Sequence, residues 1–430
     1  MSPTFRSLAN ANYRLYAAGG VVSNTGTWMQ RVAQDWLVLQ LTANSGVALG
    51  VTTGLQFLPF LLLSPVAGLV ADRVPKRRLL QATNVGMAVP ALVLGVLAVT
   101  GTAQIWHVYC LALMLGVSAA FDAPARQSFV SEIVAPEDLT NAVGLNSASF
   151  NAARLVGPGV AGLLIAAFGG GAAATGWVIL LNALSYAAPV LALQRMDPRA
   201  LDTPDPGVRS PRMIRAGVSY VRHRADLLLI LAIVFCAGTF GMNFQLTSAL
   251  MATEVYDKGA LEYGVLGTFL AVGSLTGSLV AATRTHVRLR LVVGAAMVFG
   301  VLVVLSGVMP TYVTFAVMTP LLGLAALTMV TAANSYMQLH TDAGMRGRVM
   351  ALYMMIFLGG TPIGAPVIGV IGETLGARYT LVLGGTLTLL GVGAASLLYA
   401  WSRGVLTPGG APSSLGPRAW ANQALVRARK

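Results

Sequence analysis

Stretches of about 20 residues with almost no charge recur along the whole of this 430-residue chain, and that is the length an α-helix needs to cross a bilayer. In lipid the backbone must satisfy its own hydrogen bonds, so such stretches fold as helices rather than as open strands. Charged side chains make up only 10% of the chain, against about 25% in soluble domains. They are too few to coat a water-soluble surface of this size. A soluble enzyme is excluded, and an all-α membrane protein is expected.

Twelve spans are predicted. In the first half they cover residues 14–41, 47–70, 79–99, 104–128, 139–168 and 175–193. The second half gives 227–253, 263–283, 289–308, 312–339, 346–372 and 379–401. The first run continues past signal-peptide length with no cleavage pattern, so it is expected to stay in the mature protein. The long connection holds Pro198, Pro204, Pro206 and Pro211 among arginines, which marks a polar linker. The expected organisation is an N-terminal six-helix bundle (1–195), a linker (196–225), a second six-helix bundle (226–402) and a tail (403–430).

Lysines and arginines fall almost entirely on one side of these spans. Counted by loop, 24 lie with the termini, the linker and the even-numbered loops, against Lys258 and Arg378 on the other side. The positive-inside rule then places both termini in the cytoplasm of a cell membrane. The net charge of +13 is spread between apolar runs without interleaved aromatics, which argues against nucleic-acid binding. Cys110 and Cys236 lie within apolar runs and the four histidines are scattered. Neither a metal site nor a cofactor is expected.

The halves repeat. Gly54 and Leu69-Val70-Ala71 match Gly264 and Leu279-Val280-Ala281 at a spacing of 210. Gly157, Val160, Gly162 and Gly169 match Gly364, Val367, Gly369 and Gly376 at a spacing of 207. Two related bundles that rock about a midplane site are the expected architecture.

After span 2 the chain reads Gly68-Leu-Val-Ala-Asp72-Arg73-Val-Pro75-Lys76-Arg77-Arg78. A helix-end glycine, an acid and a basic cluster in a tight loop suit a conformational latch, and the bases can also reach lipid phosphates. This loop resembles the signature of the major facilitator superfamily, G-x-x-x-D-[RK]-x-G-[RK]-[RK], with Pro75 in place of the usual glycine. The second copy of the loop has Ala282 where Asp72 stands in the first. The resemblance implies that Asp72, Lys76 and Asp122, the last near the inner end of span 4, form a charge relay stabilising an outward-open state.

Span 5 carries Arg154-Leu-Val-Gly157-Pro158-Gly159-Val-Ala161-Gly162. Glycine and proline in a membrane helix allow close backbone approach and a local bend. The stretch resembles the antiporter motif G-x-x-x-G-P-x-x-G-G of the superfamily's drug:proton antiporters, with Ala153 and Ala161 replacing two glycines. Asp122-x-Pro124-x-Arg126-Gln127, Pro136-Glu-Asp-Leu139, Asn141-Ala142 and Asn146 are similar to the branch that holds the enterobactin exporter and macrolide and multidrug efflux proteins. Efflux of an amphipathic small molecule is what this implies, driven by proton antiport. The alternative is proton-coupled uptake of a small metabolite.

Charges inside the spans mark a candidate site, because ionic groups in lipid are costly and face a bundle interior or a wet cavity. Arg31 and Asp35 lie one turn apart on span 1 and could pair. Asn151 and Arg154 share a side of span 5. These four are the candidate proton-coupling and substrate residues. The family's helix-4 arginine is missing, since Leu113 precedes Gly116, so Arg31 or Arg154 is expected to take its place. Trp28, Phe57, Phe121, Phe244, Met354 and Phe357 are candidate cavity walls, and Asn243, Gln245, Asn334, Gln338 and Tyr353 are the polar residues of the second half. The expected partners are a small-molecule substrate, protons and membrane lipids, with the chain acting as a monomer.

Overall fold

A computed structural model describes residues 3–202, 212–282, 287–342 and 344–402. The tail after 402, the middle of the linker with Pro204, Pro206 and Pro211, and Arg284 and His286 lie outside the described residues. Helices in the first half are α1 (Ala11–Leu41), α2 (Gly46–Arg73), α3 (Lys76–Val99), α4 (Ile105–Ile133), α5 (Leu139–Ala167), α6 (Ala172–Ser185) and α7 (Ala187–Arg195). The linker contributes α8 (Arg212–Arg222). The second half holds α9 (Ala225–Cys236), α10 (Phe244–Leu250), α11 (Ala260–Ala282), α12 (Leu289–Gly307), α13 (Tyr312–Leu339), α14 (Arg346–Gly359), α15 (Thr361–Leu375) and α16 (Ala377–Ser402). No strand occurs among the described residues.

Hydropathy and length qualify eleven segments as membrane spans. The twelfth is α1, which is long enough at 31 residues but too polar to qualify. Its Ser23, Gln30, Gln34 and Asp35 are buried inside the protein rather than turned to lipid, and Asn182 of α6 donates to Gln30 Oε1. Asn10 caps the start of α1 by accepting from the Tyr13 amide at 3.0 Å, and Ser45 does the same for α2 through Ala48 at 3.2 Å. Such side chains satisfy amides that lack an intrahelical partner.

Three expected spans are interrupted, spans 6 and 11 only in their hydrogen bonding, since Tyr186 and Gly360 keep helical dihedrals, and span 7 in the backbone itself. Span 6 divides at Tyr186 into α6 and α7, where Pro189 has no N–H to offer the Ser185 carbonyl. Span 11 divides at Gly360 into α14 and α15, with Pro362 at the second helix's start. Span 7 unwinds into π-turns at Ala237–Gly241 and Met251–Val255 around α10. There Asn243 Nδ2 donates to the freed Thr239 carbonyl at 2.7 Å. The linker is also more structured than expected, since α8 lies against α14 through Gly217 and the Arg348 backbone.

The two halves meet along two seams, α2 with α15 and α5 with α11. These are repeat-related: spans 2 and 8 correspond, as do spans 5 and 11. Small residues make each seam. Gly46 and Gly50 of α2 lie directly on the backbone of Gly369 and Ala365, and Gly54 lies on Pro366 and Pro362. In the other seam Gly264 and Gly267 of α11 lie on Pro158, and Gly162 lies on Ala260 and Leu261. Both seams are tight toward the face opposite the linker. At the linker-face ends of α2 and α5, Gly68 and Gly144 meet no neighbouring atom within 4 Å.

Candidate functional site

Between the halves lies a cavity of about 230 Å³, bounded by α1, α2 and α5 on one side and by the broken span 7 with residues of α11 to α16 on the other. The break in span 7 gives it shape. Gly238 and Gly241 bring backbone to the wall, and Asn243, Phe244 and Gln245 follow them into it. Asn243 Oδ1 and Ser274 Oγ are buried without a protein hydrogen-bond partner, and both residues line the cavity.

Two arginines stand in this wall. The Arg31 guanidinium lies 4.7 Å from the Trp28 ring centre and 5.7 Å from that of Phe57, and Arg154 approaches the same Trp28 ring at 5.5 Å. One indole therefore carries two cations, and Phe150 packs edge-on against it at 5.8 Å. Aromatic faces attract cations, by about 2 kcal/mol or more where water is excluded. Among the described residues neither arginine has an ion-pair partner.

Asp35 does not pair with Arg31 as its spacing suggested. Its Oδ2 accepts from the Tyr263 hydroxyl of α11 at 2.8 Å, and Trp36 stacks on the same tyrosine at 6.3 Å. The acid thus ties the halves together beside the α5–α11 seam, where Thr268 Oγ1 also donates to the Leu155 carbonyl at 3.0 Å. Six residues separate Asp35 from the end of α1, about 9 Å of helix, so it sits toward the face opposite the linker. Tyr263 lines the cavity while Asp35 stands behind it. Asn151 is not brought to this site; its Nδ2 donates to the Ser147 carbonyl one turn back at 2.8 Å.

Of the other candidate walls, Trp28, Phe57, Phe244, Phe357, Asn243 and Gln245 line the cavity. Phe121 and Met354 do not. Gln338 donates to Asn334 at 2.6 Å on α13, and the Tyr353 hydroxyl donates to the Val330 carbonyl at 3.3 Å. Tyr263, Ser274, Thr53 and Phe299 are cavity residues that the sequence reading did not single out.

The loop motif is arranged differently from the expected relay. Lys76 pairs with Glu132 on α4, not with Asp122. Asp122 instead receives Arg126 Nε at 2.7 Å and the Thr83 hydroxyl at 2.9 Å. Arg77 donates to the Leu193 and Gln194 carbonyls at 2.6 and 3.1 Å, holding the end of α7. Asp72 and Arg73 close α2, the first partly buried and the second exposed. In span 5, Gly157 faces Trp28 and Met29 of its own half, whereas Pro158 and Gly162 face α11 across the seam.

A family model described as transmembrane secretion effector matches residues 2–403. The staphyloferrin A transporter of Staphylococcus aureus is 24% identical over 85% of this chain and 90% of its own length. The multidrug efflux pump Tap of Mycolicibacterium fortuitum is 28% identical over 89% and 94%, and macrolide efflux protein A of Streptococcus pyogenes 21% over 88% and 93%. Among solved structures, a bacterial homologue of the human lysosomal transporter Spinster, inward-facing and occupied, superposes with a TM-score of 0.68 at 14% identity. That match covers 93% of this chain and 98% of the other. Family match, fold and repeat agree: the chain belongs to the transmembrane secretion effector family of the major facilitator superfamily, as a multi-pass membrane transporter and not an enzyme.

Proposed function

We propose that this protein exports an amphipathic small molecule across the cell membrane by alternating access. The observation that carries this reading is the cavity walled by both halves, with glycine seams tight at one face and loosened at the other. Rocking the repeat-related halves about these seams would exchange the open face. The concentration of lysine and arginine on the linker face supports a cytoplasmic position for that face and for both termini. The outward direction rests on the span-5 motif and on the efflux activities named for the relatives. Seams and cavity are complete within one chain, which supports a monomer as the working unit. The basic loops are placed to meet anionic headgroups.

Asp35 is the proposed proton site, because its hydrogen-bond partner across the seam is the Tyr263 hydroxyl, which can release it as the halves part. Asp72, Lys76 and Asp122 are proposed to regroup on the linker face when the protein turns outward. The test uses inside-out vesicles containing the protein, three fluorescent amphiphiles (anionic 8-anilino-1-naphthalenesulfonate, neutral N-phenyl-1-naphthylamine and cationic Hoechst 33342) and an imposed proton gradient. Protein-dependent accumulation of at least one dye is expected. Asp35→Asn should abolish the response to the gradient while the protein still inserts and folds; full gradient-driven accumulation by that variant refutes the coupling role.

A further inference from the structure

We infer that the cargo of this cavity is an amphipathic anion whose negative group sits between Arg31 and Arg154. The inference rests on the transport reading above and names the chemistry of its substrate. Both guanidinium groups approach the same Trp28 ring, at 4.7 and 5.5 Å, so they are no more than about 10 Å apart. That span suits one carboxylate, sulfonate or phosphate reached from two sides, or a cargo with two anionic groups.

The electrostatics of the wall favour an anion strongly. A bare cation away from water is costly unless paired, and two cations this close also repel each other in a medium of low dielectric. No acid among the cavity-lining residues neutralises them. Asp35, one turn along α1, acts on Arg31 through space, but it lies beyond ion-pair distance with its hydrogen bond to the Tyr263 hydroxyl, and one carboxylate against two guanidinium groups leaves the site net positive. The indole face attracts both cations but offers no hydrogen-bond acceptor to their N–H groups, so their donors remain available. Arginine presents those donors as a planar fork that fits carboxylates and phosphates.

The remainder of the wall describes the rest of the molecule. Phe57, Phe244, Phe299, Phe357 and Leu270 are apolar surface for a greasy or aromatic body. Asn243, Gln245 and Ser274 add a few polar side chains to this largely apolar wall, although the unpartnered oxygens of Asn243 and Ser274 are shielded from the open space. A cation would find two like charges and no exposed carboxylate.

The test compares 8-anilino-1-naphthalenesulfonate with N-phenyl-1-naphthylamine, which share one aromatic body and differ in the sulfonate. Binding is measured to the full-length protein in nanodiscs, with empty nanodiscs subtracted. The anionic probe is expected to bind at least about tenfold more tightly than the neutral one, the size of one charge-assisted hydrogen bond. Arg31→Gln and Arg154→Gln should each lower its affinity by about tenfold and leave the neutral probe unchanged. Arg31→Lys and Arg154→Lys, which keep the charge and protect against misfolding as an explanation, should retain part of the preference. Equal binding of the two probes, or tighter binding of Hoechst 33342, overturns the anion inference while the export reading stands on whichever dye is moved. If none of the three probes is bound or transported, both fall.

Discussion

Gly162→Ala is expected to shift this transporter out of the conformation described here. A methyl group on Gly162 would stand 2.5 Å from the Ala260 carbonyl oxygen and 3.1 Å from the Leu261 Cα. Both obstacles are backbone of the opposite half, so relief requires α5 and α11 to separate. Overpacking of this kind costs about 1–3 kcal/mol. The cost falls only on the state in which the seam is closed, which corresponds to a population shift of about 5- to 150-fold. Gly157→Ala is the control. Its added carbon would meet Trp28 Cβ at 2.6 Å within its own half, straining both conformations alike and lowering stability without moving the balance. Spin labels at Thr102→Cys and Lys258→Cys, on exposed loops of the two halves at the tight face, report the separation by pulsed electron resonance once Cys110 and Cys236 are replaced by alanine. A longer-distance population should grow in Gly162→Ala alone. An unchanged distribution, or an equal shift in Gly157→Ala, would refute the assignment of this seam as the moving joint.

Two further outcomes follow from the ion pairs and caps. The Lys76–Glu132 pair is almost dry, with side chains 12% and 2% exposed, and breaking a buried pair from one side costs about 3–5 kcal/mol. Lys76→Met should therefore melt well below the wild type in detergent, and Lys76→Met with Glu132→Leu should recover much of the loss; equal melting of the two variants contradicts this. At the tight face Glu373 of α15 accepts from Ser45 Oγ at 2.5 Å and from the Val47 amide at 3.1 Å, capping α2 across the seam. In Glu373→Ala, maleimide labelling of a cysteine placed at Val47 should accelerate severalfold, with Glu373→Gln intermediate, and an unchanged rate excludes a gating role for the cap.

Most of the architecture was legible because the bilayer simplifies the problem: a long apolar run has one good conformation, and glycine matches at a fixed spacing reveal the repeat. The breaks were harder to read. Gly359-Gly360-x-Pro362 carried a visible signal, but span 7 holds no proline, and only Gly238, Gly241 and Asn243 hint that it unwinds. Helix α8 was hidden by the prolines before it, although Ile214, Val218 and Val221 recur at helical spacing. Pairings across the chain were the least accessible. Arg31 and Asp35 at one turn's spacing suggest a local ion pair, yet the acid's partner is Tyr263, 228 residues away. Resemblance pointed Lys76 toward Asp122, but Glu132 lies ten residues further along the same helix, and only packing distinguishes the two.

The two arginines on Trp28 bear on how membrane voltage acts during the cycle. With Asp35 ionised, the three groups leave the empty site one positive charge, and the monovalent anion proposed above would bring the loaded site to neutrality. The loaded passage is then indifferent to voltage, while the empty return carries positive charge inward, down the potential of a cell that is negative inside. One charge moved through 100 mV is worth about 2.3 kcal/mol, roughly a fiftyfold concentration ratio of cargo. Protonation of Asp35 on the return would add a second charge to the same movement. Voltage and proton gradient would then both drive the resetting of the carrier, and neither the delivery.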